Sequence, residues 1–312
     1  MKDMVGANHD AIIRFANSNH GTTLAEAEAG GWPLSPQATL YVEGDLIRSD
    51  GSTLPVGVTY APLLDEDAGL VNIIASARDI THFREAEELK STFISVISHE
   101  LKTPVALIKG YVGTLRREDA DWHQDILNDS LAVIEDEADR LAELINNLLD
   151  ASRLEAGVLA INAIDFSMPA LAERVVERFK TQTEKHTFCL KFPEPFPVIM
   201  GDEDRIEQVL YNLVSNAVKY SPKGGEICLS GEAREKEVII CVEDEGGGIA
   251  PGDIHYIFDR FYRADAAQKK TQGAGLGLYL SRAVIEAHKG KIWADPRYEG
   301  GARICFSLPR QQ

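Results

Sequence analysis

Two long stretches of the chain carry a helical pattern of apolar residues. The first has apolar side chains in steps of three and four, at Phe93, Ile97, Leu101, Pro104, Ile108, Tyr111 and Leu115. The second is a heptad seam, at Leu131, Ile134, Ala138, Leu141, Ile145, Leu148 and Ser152. Both predict helices with one buried stripe, and the polar segment 116–125 between them is suited to a hairpin loop. One hairpin cannot bury two seams, so we expect two copies to form a four-helix bundle. The alternative is a hairpin packed against the rest of its own chain.

In the segment before this hairpin, apolar residues recur at every second position, which is the period of a β-strand. Residues 40–81 alternate between apolar and polar positions and contain two turn signals, which predicts three short antiparallel strands. Residues 1–39 carry little pattern. No helix breaker lies between Thr81 and Lys102, so we expect one continuous helix from the last strand into the first seam.

After the hairpin, residues 163–308 mix both periods, which predicts an α/β domain. Helices are expected near Pro169–Thr181, Asp202–Lys219 and Leu278–His288. Strands are expected near Thr187–Phe192, Glu226–Gly231, Val238–Asp244 and Ala302–Ser307.

The heptapeptide Ser98–Pro104 lies inside the first predicted helix. At about 100° of rotation per residue, His99 points away from the apolar stripe, so we expect it to face water. Thr103 lies one turn further on the same face, and Glu100 lies beside His99. An exposed imidazole next to a carboxylate is suited to nucleophilic or acid–base chemistry. Taken alone, such a histidine would ordinarily be a solvated surface residue.

The sequence SHELKTP resembles the phosphoacceptor box of sensor histidine kinases, the proteins of two-component signalling. The resemblance implies that His99 accepts the γ-phosphoryl group of ATP and that Thr103 supports dephosphorylation of a response regulator. Glu100 is then expected to take the proton from the other ring nitrogen. Pro104 removes a backbone donor and is expected to kink the helix. Such a box also requires an ATP-binding domain on its C-terminal side.

The first motif of that domain is the helix that contains Asn212, Asn216 and Lys219. These three residues lie at i, i+4 and i+7 and therefore share one face. Amide oxygens suit Mg²⁺, a hard cation that prefers oxygen ligands, and a lysine can hold a phosphate as a point charge. The family resemblance assigns Asn216 to the metal and Tyr220 to the nucleotide pocket.

Two further motifs follow a predicted strand. Asp244 comes directly after that strand, where a carboxylate can accept a hydrogen bond from the adenine amine, and Gly246 and Gly248 let the backbone approach the ring. By resemblance, Asp244 is the residue that reads adenine. In the segment Ile257–Arg263, two phenylalanines are expected to dock a mobile lid, and Arg263 can reach the phosphates.

The fourth motif is a glycine loop with Gly273, Gly275 and Gly277. Its spacing resembles a dinucleotide-binding loop, but a Rossmann loop follows a hydrophobic strand, whereas this one follows the polar residues 267–272. The glycines are better suited to freeing backbone amides at a helix N-terminus for phosphate and to serving as hinges of the lid.

Four motifs in this order resemble the Bergerat ATP-binding fold, which histidine kinases share with Hsp90-type chaperones and type II topoisomerases. The predicted fold class is therefore multidomain α+β. It comprises a partial PAS-like antiparallel sheet (residues 1–82), a helical hairpin for dimerisation and histidine phosphotransfer (83–157), and a Bergerat-type α/β sandwich that binds ATP (158–312). The PAS resemblance rests on the strands of residues 40–81 and their closing Asp79-Ile80-Thr81. Whether the front of this domain is truncated or divergent stays open.

The sequence does not assign a ligand to the PAS-like domain. No cysteine precedes Cys189, which excludes flavin–cysteinyl photochemistry. His9, His20 and His82 are candidate haem ligands but fit surface or turn positions better. A small-molecule sensor and a domain used only for dimerisation and signal relay both stay open.

The composition of the chain limits which kinds of partner it can bind and which cellular compartment suits it. The chain has 49 acidic and 32 basic residues and a net charge of −17, which argues against binding nucleic acid or an anionic membrane through charge. The four cysteines lack metal-ligand spacing, so we expect free, largely buried thiols in a reducing cytosol. No apolar run is long enough to suggest a membrane span, so we expect a cytoplasmic chain, and an upstream membrane segment stays open.

The sequence thus predicts a sensor histidine kinase that uses ATP and Mg²⁺, forms a homodimer and passes its phosphoryl group to the receiver domain of a response regulator. Two alternatives use the same nucleotide fold or the same bundle. One is an ATP-driven conformational machine, which would have no use for the SHELKTP box. The other is a catalytically inactive dimeric scaffold, which would not need Asn216, Asp244 and the lid glycines.

Overall fold

The fold is known from a computed structural model of the 312-residue chain. It describes residues 9–20, 23–32, 38–66, 69–117, 122–155, 161–264 and 274–310. The chain divides into two units, Met1–Ser95 and Val96–Gln312. None of the helices in these described ranges is both long and apolar enough to cross a membrane.

The first unit contains a four-stranded antiparallel sheet. Its strands are β1 (Phe15–His20), β2 (Leu40–Ile47), β3 (Thr53–Leu64) and β4 (Leu70–Asp79), in the order β1-β2-β3-β4. Two short helices accompany the sheet, α1 (His9–Ile12) and α2 (Leu24–Ala29). The small core of the unit contains Val42, Val56, Val58 and Tyr60.

This sheet differs from the predicted one in two respects. A fourth strand, β1, lies in the region in which the sequence showed little pattern. Its pairing with β2 has two register shifts, so its residues do not keep a regular alternation between the two faces of the sheet. The strands β3 and β4 have 12 and 10 residues, so the prediction of short strands is wrong for these two.

The hairpin consists of α3 (Thr81–Leu115) and α4 (Gln124–Glu155). Helix α3 has 35 residues and runs through Pro104, which confirms the prediction of one continuous helix from the end of the sheet into the phosphoacceptor box. The predicted stripe of α3 is half-buried or buried throughout. On α4, by contrast, Leu131 and Ile145 of the heptad seam are 50% and 45% exposed in the single chain.

The α/β domain contains a five-stranded sheet in the order β10-β11-β9-β8-β6. These strands are β6 (His186–Lys191), β8 (Gly225–Ala233), β9 (Glu237–Glu243), β10 (Lys291–Ala294) and β11 (Arg303–Pro309), and only the β6–β8 pair is parallel. A small second sheet pairs β5 (Ile164–Phe166) with β7 (Ile199–Gly201). The predicted strands are confirmed within one or two residues at each end. The short strands β5, β7 and β10 were not predicted, because three or four residues are too few to show a period.

Three helices cover one face of this sheet, namely α5 (Met168–Gln182), α6 (Glu203–Tyr220) and α7 (Gly277–Ala287). The alternating strand residues Ile227, Leu229, Ile240, Val242, Ile304 and Phe306 form one core with the buried sides of these helices. The side chain of Asp202 caps α6 by accepting a hydrogen bond from the Arg205 N–H at 3.2 Å. This cap fixes the start of the helix that carries Asn212 and Asn216.

The cysteines lie on the other face of the sheet and are paired. Cys189 is bonded to Cys228 and Cys241 to Cys305, so the prediction of free thiols is wrong. The reason is strand register, which places each pair directly opposite across neighbouring strands, β6 with β8 and β9 with β11. The partners are 39 and 64 residues apart in sequence, and that spacing carries no sign of the register.

Candidate active site

The phosphoacceptor box lies in the middle of α3. His99 is exposed, as the helical spacing predicts, whereas Thr103 is half-buried. The Thr103 hydroxyl donates to the His99 carbonyl oxygen at 3.4 Å, which is the usual i to i−4 bond of a threonine inside a helix. His99 and Thr103 therefore lie on the same side of α3, one turn apart.

Glu100 points toward charged partners on two other elements. Its Oε2 is 3.6 Å from an Arg140 nitrogen on α4, and its Oε1 is 3.9 Å from an Arg263 nitrogen. The Glu100 side chain is only 11% exposed. The residue next to His99 thus links the hairpin with the segment that precedes the glycine loop.

The polar face of α6 is organised by a chain of amide hydrogen bonds. Asn212 Nδ2 donates to Ser281 Oγ of α7 at 2.8 Å, and Asn216 Nδ2 donates to Asn212 Oδ1 at 3.5 Å. The opposite face of α6 enters the core through Ile206, Val209, Leu210, Leu213, Val214 and Ala217. The side-chain nitrogen of Asn216 donates to Asn212, which leaves the side-chain oxygen of Asn216 to face a cation.

Two residues at the end of α6 differ in exposure. Lys219 is half-buried and its ammonium lies 5.4 Å from the centre of the Tyr220 ring, while Tyr220 is exposed. Burial is the main cause that lowers the pKa of Lys219 from its ordinary value, and the nearby positive charge of Arg263 lowers it further. A lysine in this setting favours an anionic ligand, since a nearby phosphate stabilises the ammonium form.

Asp244 follows β9 and is 6% exposed. Its Oδ1 accepts hydrogen bonds from the Gly246 N–H at 2.8 Å and from the Ala302 N–H at 3.2 Å. Burial raises the pKa of Asp244 above its ordinary value, against the lowering effect of these two N–H groups. The carboxyl group is therefore held rigidly at the strand end, where it can also accept from a ligand.

The glycines permit close approaches that no other residue would allow. A Cβ at Gly246 would lie 2.5 Å from the Tyr220 carbonyl oxygen, and one at Gly277 would overlap the Asn212 amide. Gly248 and Gly275 have φ of 73° and 68°, a region that L-residues seldom adopt. Gly273, the first glycine of the loop, lies outside the described residues.

The α/β domain is packed against the hairpin through an apolar cluster and an ion pair. The cluster contains Ala151, Ala274, Leu276 and Leu280, with Val96, Leu144, Leu148, Leu154, Phe261 and Tyr279 packed around it. Asp150, 8% exposed, pairs with Arg205 at 2.6 Å and accepts from Gln208 at 3.3 Å. Of the two phenylalanines expected to dock the lid, Phe261 contacts this cluster and Phe258 belongs to the main core.

Sequence reasoning missed the residues that join these elements. Arg140 shows only as one of many charged positions on α4, and the Asp150–Arg205 pair spans 55 residues of sequence. Ser281, which holds Asn212, lies outside all four motifs. No local pattern identifies such partners, because each is defined by a residue on another element.

The residues present fit a magnesium nucleotide. The Asp244 carboxyl is fixed at the end of β9 by two backbone N–H groups, and the amide oxygens of α6 are ligands that Mg²⁺ accepts. The half-buried Lys219 and Arg263 lie close enough to influence each other and supply two positive charges, which suit a polyphosphate.

Two family models match the chain. Residues 89–157 match the His Kinase A (phospho-acceptor) domain, and residues 201–312 match the histidine kinase-, DNA gyrase B- and HSP90-like ATPase. The chain therefore belongs to the sensor histidine kinases that combine these two domains. No family model matches the N-terminal sheet as a PAS domain.

Individual relatives agree with this assignment. The chain is 33% identical over 270 residues to the sensor histidine kinase WalK of Bacillus subtilis, an alignment that covers 85% of this chain and 44% of WalK. Among solved structures, the Acinetobacter baumannii histidine kinase AdeS is 27% identical with a TM-score of 0.54, covering 69% of this chain and 98% of that one. The histidine kinase ThkA in complex with the response regulator protein TrrA is 22% identical with a TM-score of 0.55, covering 87% and 79%. This last likeness shows the fold alone. The chain spans less than half the length of WalK.

Proposed function

We propose that this chain is the catalytic part of a sensor histidine kinase that phosphorylates itself on His99. A ring nitrogen of His99 attacks the γ-phosphorus of ATP, so that an N–P bond forms while the bond from the γ-phosphorus to the bridging oxygen breaks and ADP leaves. Glu100 takes the proton from the other ring nitrogen. Little covalent chemistry is left to the protein in such a transfer, and catalysis rests on positioning and charge neutralisation.

The observation that carries this proposal is the approach of Arg263 to Glu100. Their side chains are 3.9 Å apart, although one belongs to the phosphoacceptor box and the other to the nucleotide half of the chain. The carboxylate beside the nucleophile and a cation suited to phosphate thus lie in one place. An active site formed jointly by the two domains explains why these two side chains lie so close together.

Each residue of the nucleotide pocket has a proposed role. Asp244 accepts from the adenine amine, and Tyr220, Gly246 and Gly248 shape the pocket around the base. Asn212 and Asn216 face the phosphates, with Asn216 as the metal ligand. Lys219, Arg263 and the amides of Gly273, Gly275 and Gly277 hold the phosphate oxygens. Mg²⁺, when bound, neutralises part of the triphosphate charge.

After autophosphorylation, the phosphoryl group passes from His99 to an aspartate carboxylate on the receiver domain of a response regulator. The exposed position of His99 supports this step, since a partner protein has to reach the ring. Thr103 lies one turn along the same side of α3 and orients a water molecule toward the phospho-aspartate in the reverse, dephosphorylating reaction. No nucleic acid takes part, in keeping with the net charge of −17.

The active form is a homodimer in which two hairpins make a four-helix bundle. The half-exposed seam residues Leu131 and Ile145 of α4 support this, since burying a large aliphatic side chain gains roughly 1.5–3 kcal/mol. Leu141 and Ile145 would lie near the dimer seam. Light scattering at micromolar concentration should give twice the mass of one chain, and a monomer would contradict the bundle.

We assign residues 1–82 to a PAS-like sensor domain, 83–157 to dimerisation and phosphotransfer, and 158–312 to ATP binding. The chain works in the cytoplasm, where ATP and the response regulator are found. The four-stranded sheet and the continuous helix α3 support a sensor that acts on the box through that helix.

The direct test is incubation of the purified protein with γ-labelled ATP and Mg²⁺. We expect label on the protein that is lost in acid and kept in alkali, as for phosphohistidine. Hydrolysis of ATP without label on the protein would favour the ATP-driven machine, and neither activity would favour an inactive scaffold.

A further inference from the structure

Arg140 lies outside every motif of the sequence but contacts the residue next to the nucleophile. Its guanidinium is 3.6 Å from Glu100 Oε2 across the hairpin and 3.7 Å from Glu137 Oε2 one turn earlier on α4. Arg140 is itself 32% exposed, and the side chains of Glu100 and Glu137 are less exposed than that. This is a half-buried arrangement rather than a solvated surface pair.

The two oxygens of Glu100 face two different arginines. Oε2 faces Arg140 of α4, and Oε1 faces Arg263 of the nucleotide half. Arg140 belongs to the same hairpin as His99, so its distance from the nucleophile is set by the packing of two helices. Arg263 lies just before the glycine loop, in the half of the chain that carries the proposed phosphate ligands.

These two arginines are therefore not equivalent once ATP is bound. A triphosphate carries more negative charge than one carboxylate, so it draws Arg263 away from Oε1. Arg140 then remains as a cation that keeps the carboxylate oriented through Oε2. A guanidinium suits this task because its planar fork fixes the direction of a carboxylate better than an ammonium does.

The electrostatics of α6 show that Arg140 is close enough to matter there. Burial chiefly lowers the pKa of Lys219, and the positive charges of Arg263 and Arg140 lower it further, while Glu100 opposes them. The hairpin residues Glu100 and Arg140 are thus part of the same electrostatic cluster as the proposed phosphate ligands.

We propose that Arg140 is a positioning residue for autophosphorylation, which holds Glu100 through Oε2 so that Oε1 is available to the His99 ring when the nucleotide takes Arg263. This inference rests on the proposed function. Arg140 itself does not touch the reacting atoms, and its effect is transmitted entirely through Glu100.

The test is a comparison of autophosphorylation rates of the full chain, measured by single-turnover labelling over a range of ATP concentrations. Arg140→Gln should lower the maximal rate of autophosphorylation by up to about 10²-fold, the cost of a misplaced catalytic group, and leave the KM for ATP within twofold. Arg140→Lys should recover part of that rate, because it keeps the charge but not the fork. The matched control is Glu137→Gln, which removes the Arg140–Glu137 ion pair and should leave the rate unchanged.

A double-mutant cycle separates positioning from a general structural role. In a Glu100→Ala background, Arg140→Gln should cause no further loss, because its effect passes through Glu100. Additive losses, or equal losses in Arg140→Gln and Glu137→Gln, would overturn the inference. A wild-type protein that forms no phosphohistidine would instead overturn the proposed function, and the inference with it. If the wild type is active and Arg140→Gln keeps its full rate, only the inference fails.

Discussion

The phosphoacceptor box and the nucleotide pocket are built in contrasting ways. His99 stands exposed on a helix, and its relation to Thr103 follows from the helical repeat alone. Asp244 is 6% exposed and is held by backbone N–H groups from two separate segments. Changes in the box should therefore alter chemistry with little effect on folding, whereas changes in the pocket should alter binding and stability together.

The largest effect is expected from His99→Gln, which removes the nucleophile. Autophosphorylation should fall below detection while ATP binding persists, because His99 is not one of the proposed nucleotide ligands. Labelling with γ-labelled ATP and calorimetry with ATP would measure the two properties. His82→Gln is the matched control, an exposed histidine on the same helix, and should behave as wild type. Acid-labile phosphoprotein formed by His99→Gln would refute the assignment.

Next in size is Glu100→Ala. Loss of a general base typically costs about 10²–10⁴-fold in rate, so the autophosphorylation rate should fall by that factor at saturating ATP. Single-turnover labelling would measure it. Glu88→Ala, an exposed glutamate on α3, should have no effect. A rate within threefold of wild type would mean that Glu100 serves only as an ion-pair partner of the arginines.

Asp244→Asn should weaken ATP binding by one to two decades, since a charge-assisted hydrogen bond contributes about 1.5–3 kcal/mol. Calorimetry would measure the affinity. The matched control is Asp295→Asn, another carboxylate that directly follows a strand and accepts from the N–H two residues on. Unchanged ATP affinity in Asp244→Asn would make Asp244 a strand-end cap and nothing more.

The same variant tests the second half of the contrast, which is stability. Because burial raises the pKa of Asp244, its contribution to folding is present below the unfolded-state pKa and is lost as pH rises through the folded-state pKa. At neutral pH the ionised carboxylate is therefore unfavourable. Asp244→Asn should unfold at the same or a higher temperature than wild type at pH 7, and this advantage should shrink in acid. A lower melting temperature at pH 7 would contradict this account.

The smallest effect on autophosphorylation is expected from Thr103→Ala, which should stay within a few-fold of wild type. Dephosphorylation of a response regulator should be lost, because the hydroxyl that orients water is gone. Parallel kinase and phosphatase assays would measure both activities. Thr114→Ala removes the same kind of hydroxyl-to-carbonyl bond further along α3 and should leave both unchanged. Equal losses in both activities for Thr103→Ala would point to helix distortion near Pro104 instead.

The sequence predicted much of the fold because the relevant signals are local. The bounds of α5, α6 and α7 and of the main strands follow from period and punctuation within each segment. Strand β1 was missed, since its irregular pairing with β2 erases a regular alternation. The free-thiol prediction failed for a related reason, because register between strands, which no single segment contains, sets each cysteine opposite its partner.

The sequence by itself determined the side of α3 on which His99 stands, the shared face of Asn212 and Asn216, and the order of the motifs. A helical repeat or a strand end fixes each of these within a few residues of chain. Only the tertiary structure decided that Glu100 meets Arg140 and Arg263, that Asp150 pairs with Arg205, and that the cysteines form two bonded pairs. These contacts join elements far apart in the chain, and they depend on how apolar faces pack and how strands align, because packing and alignment decide which side chains of different elements come within reach.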